Sequence, residues 1–182
     1  DKIKFITLTW NGENKIAGGV KTDKGLTDFG KSVIKQMNRF KMAVDLSHLN
    51  DKSFFGVIDK ADIVLASHSN CRTICNHKRN LTDEQIKLIA EKNGIIGLNF
   101  YPLFLGDDFY RNIYENIYHL CDMGYENNIA LGSDFDGAVL PNEIKDISKI
   151  PLLYDQLLKK GLKTDLLDKI FYKNAKEFML NL

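Results

Sequence analysis

The sequence predicts an α/β fold in which βα units are arranged around a parallel sheet. Three observations carry that expectation. Five short apolar runs rich in β-branched residues recur along the chain, longer segments of helical periodicity separate them, and polar residues cluster where four of the runs end.

The first run covers residues 4–9, and a helical segment follows at 28–40. The second run, 42–47, carries Val44-Asp45-Leu46 and closes on Ser47-His48. The third, 62–67, carries Ile63-Val64-Leu65 and closes on Ser67-His68-Ser69. A helix is expected over 82–92. There the Thr82 hydroxyl can cap the first turn while Gln85 reaches back, and Asp83 and Glu84 suit the positive helix start. Ile86, Ile89 and Ala90 give it an apolar stripe at i, i+3, i+4 spacing. The fourth run, 94–101, ends in Asn99-Phe100-Tyr101 and precedes a helix over 110–123. The fifth, 128–133, leads into Ser133-Asp134-Phe135-Asp136, and a helix over 164–182 ends the chain. No low-complexity tract, Pro-rich linker or short repeat divides the sequence, so residues 1–182 read as one domain. In parallel α/β folds the carboxyl ends of the strands form the face that holds the active site. Four polar strand ends in order mark that face here.

Composition narrows the function classes. Lys and Arg number 25 against 24 Asp and Glu, a net charge of +1. So even a balance argues against binding nucleic acid or an anionic membrane, which both need excess basic charge. Hydrophobic residues at 44% and charged residues at 27% suit a globular domain. No apolar run approaches the roughly 20 residues of a membrane helix. Three cysteines suggest a reducing, cytoplasmic setting rather than a disulfide scaffold. The start, Asp1-Lys2-Ile3-Lys4, has no signal-peptide character and no initiator Met, and reads as processed, engineered or truncated.

His48 and His68 are the main chemical candidates. If their strands are neighbours, the strand ends lie about 5 Å apart, and the two imidazoles can converge on one divalent metal, with zinc the expected ion. Taken singly, each also reads as a capped, hydrogen-bonded histidine. Strand alternation would send Asp134 and Asp136 to the same side, and Gly132 and Gly137 allow tight turns beside them. A carboxylate there can take a proton from a water that a metal has acidified; an Asx turn with a solvated second acid is the other reading. Arg79 can hold a substrate carboxylate as a bidentate pair, but Lys78-Arg79 also reads as a solvated basic loop. His77 is expected at the surface and His119 within a helix. Cys71 and Cys75 are too far apart for a CxxC site and read as small buried hydrophobes. Neither standard phosphate-binding glycine loop nor a G-x-S-x-G elbow occurs.

An ordered set of motifs then becomes recognisable. Thr7-Leu8-Thr9-Trp10-Asn11, Gly25-Leu26-Thr27, Val44-Asp45-Leu46-Ser47-His48 and Ala66-Ser67-His68-Ser69 come first. Arg79-Asn80-Leu81-Thr82-Asp83, Gly97-Leu98-Asn99-Phe100-Tyr101 and Gly132-Ser133-Asp134-Phe135-Asp136-Gly137 follow. The set resembles the membrane (renal-type) dipeptidase family of zinc peptidases along nearly the whole chain. The resemblance implies a TIM-type (β/α)8 barrel with two zinc ions, hydrolysing dipeptides, commonly as a homodimer. It also implies that His48 and His68 bind one zinc ion and that Asp134 interacts with the attacking water and the substrate amine. Arg79 would bind the substrate carboxylate, with Tyr101 near the pocket.

Two departures stand out. The family has a His, which helps polarise the scissile carbonyl, where this chain has Trp10. Its H-x-D ligands and bridging Glu lie upstream of the matched part, and no H-x-D occurs in this sequence. A full barrel takes about 250 residues, so 182 residues with about five βα units read as the carboxyl-side portion. The expectations are at most one weak zinc site in this chain, no activity on its own, two unpaired sheet edges and an uncovered apolar interior face. A non-catalytic barrel remnant that binds peptides or partners, and an amidohydrolase acting on another small amide, are the alternatives.

Overall fold

The computed structural model describes residues 3–182; Asp1 and Lys2, the first residues of the start considered above, lie outside them. Each of the five apolar runs contributes a strand: β1 (Phe5–Thr7), β2 (Ala43–Asp45), β3 (Val64–Ala66), β4 (Ile95–Leu98) and β5 (Ile129–Leu131). All neighbours are parallel and the order is β1-β2-β3-β4-β5. A doubly wound sheet reverses its order once, whereas an unbroken sequential order is that of a barrel wall. The fold is therefore α/β, an arc of a (β/α) barrel.

The connections are α1 (Asp28–Arg39), α2 (Asp51–Ile58), α3 (Asp83–Glu91), α4 (Pro102–Leu105) and α5 (Phe109–Asp122). After β5 come α6 (Ile150–Lys159), α7 (Thr164–Asp168), a π turn (Lys169–Lys173) and α8 (Asn174–Leu180). The capping box expected at Thr82 and Gln85 is present on α3. Thr27 and Asn50 cap α1 and α2 with the side chain alone, accepting the N–H of Gly30 and Ser53; such a cap is worth about 1 kcal/mol. Three helices, α2, α4 and α6, do not stand out in the sequence. The expected terminal helix is broken by the π turn, after which the buried Asn174 donates to the carbonyls of Glu126 and Ile129 at the foot of β5, each at 2.8 Å.

Strand alternation divides the core. Val44, Val64, Ala66, Ile96, Leu98 and Ile129 pack toward the helices. Ala43, Leu65, Ile95 and Ala130 face the barrel interior, where Ala175 and Phe178 of α8 pack against them. The expectation of an uncovered apolar interior is thus corrected: the terminal helix covers its floor. Above that floor the same face turns polar, with Thr7, Asp45 and Ser67. Among the described residues, no helix is long and apolar enough to cross a membrane.

Candidate active site

Asp45 is the hub of the polar layer. Its side chain is fully buried at the end of β2, where an unpartnered charge would be costly. Oδ2 accepts from Thr7 Oγ1 at 2.7 Å and Ser67 Oγ at 2.6 Å, and Oδ1 accepts from the backbone N–H of Ser47 at 3.1 Å and Ser67 at 2.9 Å. The register pairs Thr7 with Asp45 directly. Gly97 and Gly132 are required beside this layer, because a Cβ on either would come within 2.1 Å of the Ser67 carbonyl oxygen.

The two histidines expected at neighbouring strand ends do meet. His48 follows β2 in a left-handed conformation (φ 71°), and its Nδ1 lies 2.9 Å from Asn11 Oδ1. An amide oxygen only accepts, so His48 Nδ1 carries the proton and Nε2 the lone pair. His68 places Nδ1 2.6 Å from Ser67 Oγ, and its Nε2 stands 2.9 Å from His48 Nε2. Two zinc–nitrogen bonds of about 2.0–2.1 Å at a tetrahedral angle would hold the nitrogens about 3.3 Å apart, so the pair fits a shared ion with little adjustment. Burial, then the positive charge of Arg79, then His68 push the His48 imidazole down to about 3 from its ordinary 6.5. Burial and Arg79 lower His68 as well. Both rings are thereby kept neutral, the ligating form. Among the described residues no group of three or more His, Cys, Asp or Glu converges as a ligand set.

A cavity of about 480 Å³ opens over this pair, lined by Thr7, Leu8, Thr9, Trp10, Asn14 and the two histidines. Trp10 is 73% exposed on its wall, with its ring 6.4 Å from that of His48.

Arg79 is only 4% exposed, which corrects the solvated-loop reading for this residue. Its Nη2 donates to the His68 carbonyl at 3.2 Å, while Nε has no partner. Burial lowers the guanidinium to about 10, against the pull of Asp45 and Asp134, so it stays charged near neutral pH. The Phe104 ring backs it at 5.3 Å and stacks edge-on with Tyr101 at 5.0 Å. Asn70 and Asn80 both donate to the Phe104 carbonyl, at 3.2 and 2.7 Å, pinning the segment after β4 onto the Arg79 loop.

Asp134 is half-buried and receives Asn99 Nδ2 at 3.3 Å; Asn99 Oδ1 also takes the Tyr101 N–H at 2.6 Å. Its carboxylate favours the charged form of both His68 and Arg79, so it faces the same centre. The alternation argument for Asp134 and Asp136 is overturned. β5 ends at Leu131 and Asp134 is left-handed (φ 63°), so the chain turns rather than extends. Asp136 ends up exposed, and a Cβ at Gly137 would crowd the Asp134 carboxylate and make it shift. Away from the centre, His77 bonds the Arg79 N–H and packs on Phe104, while His119 pairs with Asp83 at 2.9 Å. Cys71 is fully buried and Cys75 partly so.

Asn11, Asp45, Ser67 and Asn99 are the site residues to which the sequence alone assigns no role. Their only signal is a polar side chain at or near the end of an apolar run.

Comparisons with known proteins bear on the family and the fold. The chain matches the membrane dipeptidase family (peptidase family M19) over residues 2–179. It is 37% identical to an uncharacterised protein of Klebsiella pneumoniae, covering 94% of this chain and 69% of that protein. It is 33% identical to an uncharacterised dipeptidase of Schizosaccharomyces pombe, covering 91% of this chain and 44% of that one. A metallo peptidase from Rhodobacter sphaeroides, solved with a phosphinate mimic of the dipeptide L-Ala-D-Ala, superposes with a TM-score of 0.92 at 31% identity, covering 97% of this chain and 55% of the other.

Proposed function

Because the chain belongs to the membrane dipeptidase family (peptidase family M19), we propose that it carries the carboxyl-side part of a metal-dependent dipeptidase site, with zinc as the metal. The observation that carries this reading is the convergence of the neutral imidazoles of His48 and His68, with Nε2 atoms 2.9 Å apart, beside the buried Arg79. The dipeptide mimic held by the Rhodobacter sphaeroides relative supports the substrate class. Zinc held by His48 and His68 would supply Lewis acidity, polarising the scissile carbonyl and making water a nucleophile near neutral pH. Two imidazoles leave a tetrahedral ion two ligands short. In this reading the 182 residues alone hold zinc weakly and turn nothing over, the remaining ligands coming from outside them.

The chain's own residues then bind, orient and move protons. Arg79 grips the free carboxylate of the substrate through donors that are not all spent, with Phe104 behind the guanidinium and Tyr101 beside Phe104. A longer peptide has no terminal charge at that point, which limits the substrate to dipeptides. Asp134, held by Asn99, accepts a proton from the attacking water and returns it to the leaving amine.

Hydrolysis of a dipeptide and of its carboxamide by the zinc-loaded full-length protein tests this. Arg79→Ala should raise KM for the dipeptide about 10- to 100-fold, the scale of a charge-assisted hydrogen bond, and change the carboxamide little. Asp134→Asn should retain metal while turnover falls about 10²-fold or more. Equal losses on both substrates in Arg79→Ala would remove the carboxylate clamp. Failure of the wild-type protein to cleave any dipeptide would overturn the reading as a whole.

A further inference from the structure

The mechanism above leaves Asp45 without a task, although it is a fully buried carboxylate whose two oxygens each accept two hydrogen bonds. One of its donors, Ser67, also touches His68. A carboxylate oxygen can only accept, so the single hydroxyl proton of Ser67 goes to Asp45 Oδ2 at 2.6 Å. The hydroxyl oxygen is then left to accept from His68 Nδ1, also at 2.6 Å. Nδ1 therefore carries the ring proton and Nε2 the lone pair. Asn11 does the same for His48, so two lone pairs face each other across 2.9 Å. Such a contact repels in the absence of a cation and becomes favourable once a cation is shared between them.

We infer that Asp45, acting through Ser67, is the positioning residue that locks His68 in its Nδ1–H tautomer and presents its Nε2 lone pair to the point shared with His48. The use made of that lone pair rests on the reading of the two histidines as metal ligands; the relay itself does not. Thr7 braces Asp45 from β1, and the backbone N–H groups of Ser47 and Ser67 fix its other oxygen.

Those backbone bonds make the near-isosteric variant informative. In Asp45→Asn the amide oxygen must stay on the Ser47 and Ser67 N–H groups, which puts the NH2 group against Ser67 Oγ. The NH2 group donates there, the Ser67 proton turns to His68 Nδ1, and the ring proton moves to Nε2. The relay runs backwards with almost no change of shape.

Long-range ¹H–¹⁵N correlation spectra of the metal-free 182-residue chain, above neutral pH, report each histidine tautomer. His68 should be Nδ1–H in the wild type and Nε2–H in Asp45→Asn. It should shift toward Nε2–H in Ser67→Ala and return to Nδ1–H in Ser67→Thr, which restores the hydroxyl. Zinc affinity should fall about 10- to 100-fold in the first two variants, the usual cost of losing a residue that orients a ligand. An Nε2–H tautomer in the wild type overturns the relay, as does an Nδ1–H tautomer that survives both Asp45→Asn and Ser67→Ala. If Asp45→Asn fails to fold, the Ser67→Ala and Ser67→Thr pair decides. Tautomers that respond as expected, in a protein that binds no zinc at all, would uphold the relay and sink the ligand reading alone.

Discussion

At the scale of single residues, holding two imidazoles neutral next to a buried guanidinium has a consequence for stability. His48 titrates near 3 in the folded chain against an ordinary 6.5, chiefly through burial. Between those values the unfolded chain takes up a proton that the folded chain refuses. The stability present above about 6.5 is therefore lost as pH falls toward 3, and His68, lowered for the same reason, adds to the effect. Urea midpoints of the metal-free chain should drop with pH over this window, and less steeply in His48→Gln. An identical slope in the variant would mean that His48 is not held neutral by the fold. The histidines were legible in the sequence because each closes a short apolar run that reads as a strand. Asp45 also ends such a run, but its role depends on which strands are neighbours, and that is a property of the sheet. Asp134 was legible as a residue but not in its conformation, since nothing local announces a left-handed aspartate.

At the scale of elements, the site depends on how closely three strand ends approach. A Cβ at Gly97 would stand 2.1 Å from the Ser67 carbonyl oxygen and 3.0 Å from Gly132 Cα, backbone atoms that cannot swing aside. Gly97→Ala should therefore destabilise the chain by about 1–3 kcal/mol and displace Ser67 from Asp45. Gly12→Ala, with nothing within 4 Å, should leave the melting temperature nearly unchanged. Equal melting temperatures for the two variants would contradict the packing of this layer. All five strands could be read from their β-branched runs, and α3 from Thr82, Gln85 and its apolar stripe. Helix α2 could not: it is eight residues long with Gly56 inside it, and its stability comes from the Asn50 cap and from burying Phe54, Val57 and Ile58. The π turn was equally hidden, because its partner is the foot of β5, about 45 residues upstream of Asn174.

At the scale of the molecule, an arc of five sequential parallel strands, floored by α8, brings His48, His68, Arg79 and Asp134 to one end of the sheet. The chain spans 69% and 44% of the two curated relatives described above. His48 and His68 are the two ligands proposed for the metal ion, and among the described residues no third His, Cys, Asp or Glu joins them. Competition of the 182-residue chain with a chromophoric chelator for zinc measures this directly, in the wild type, His48→Ala and His68→Ala. The wild type should hold at most one weakly bound ion per chain, lost in either variant. Two tightly bound ions per chain, or undiminished binding in His48→Ala or His68→Ala, would rule out the shared two-histidine site.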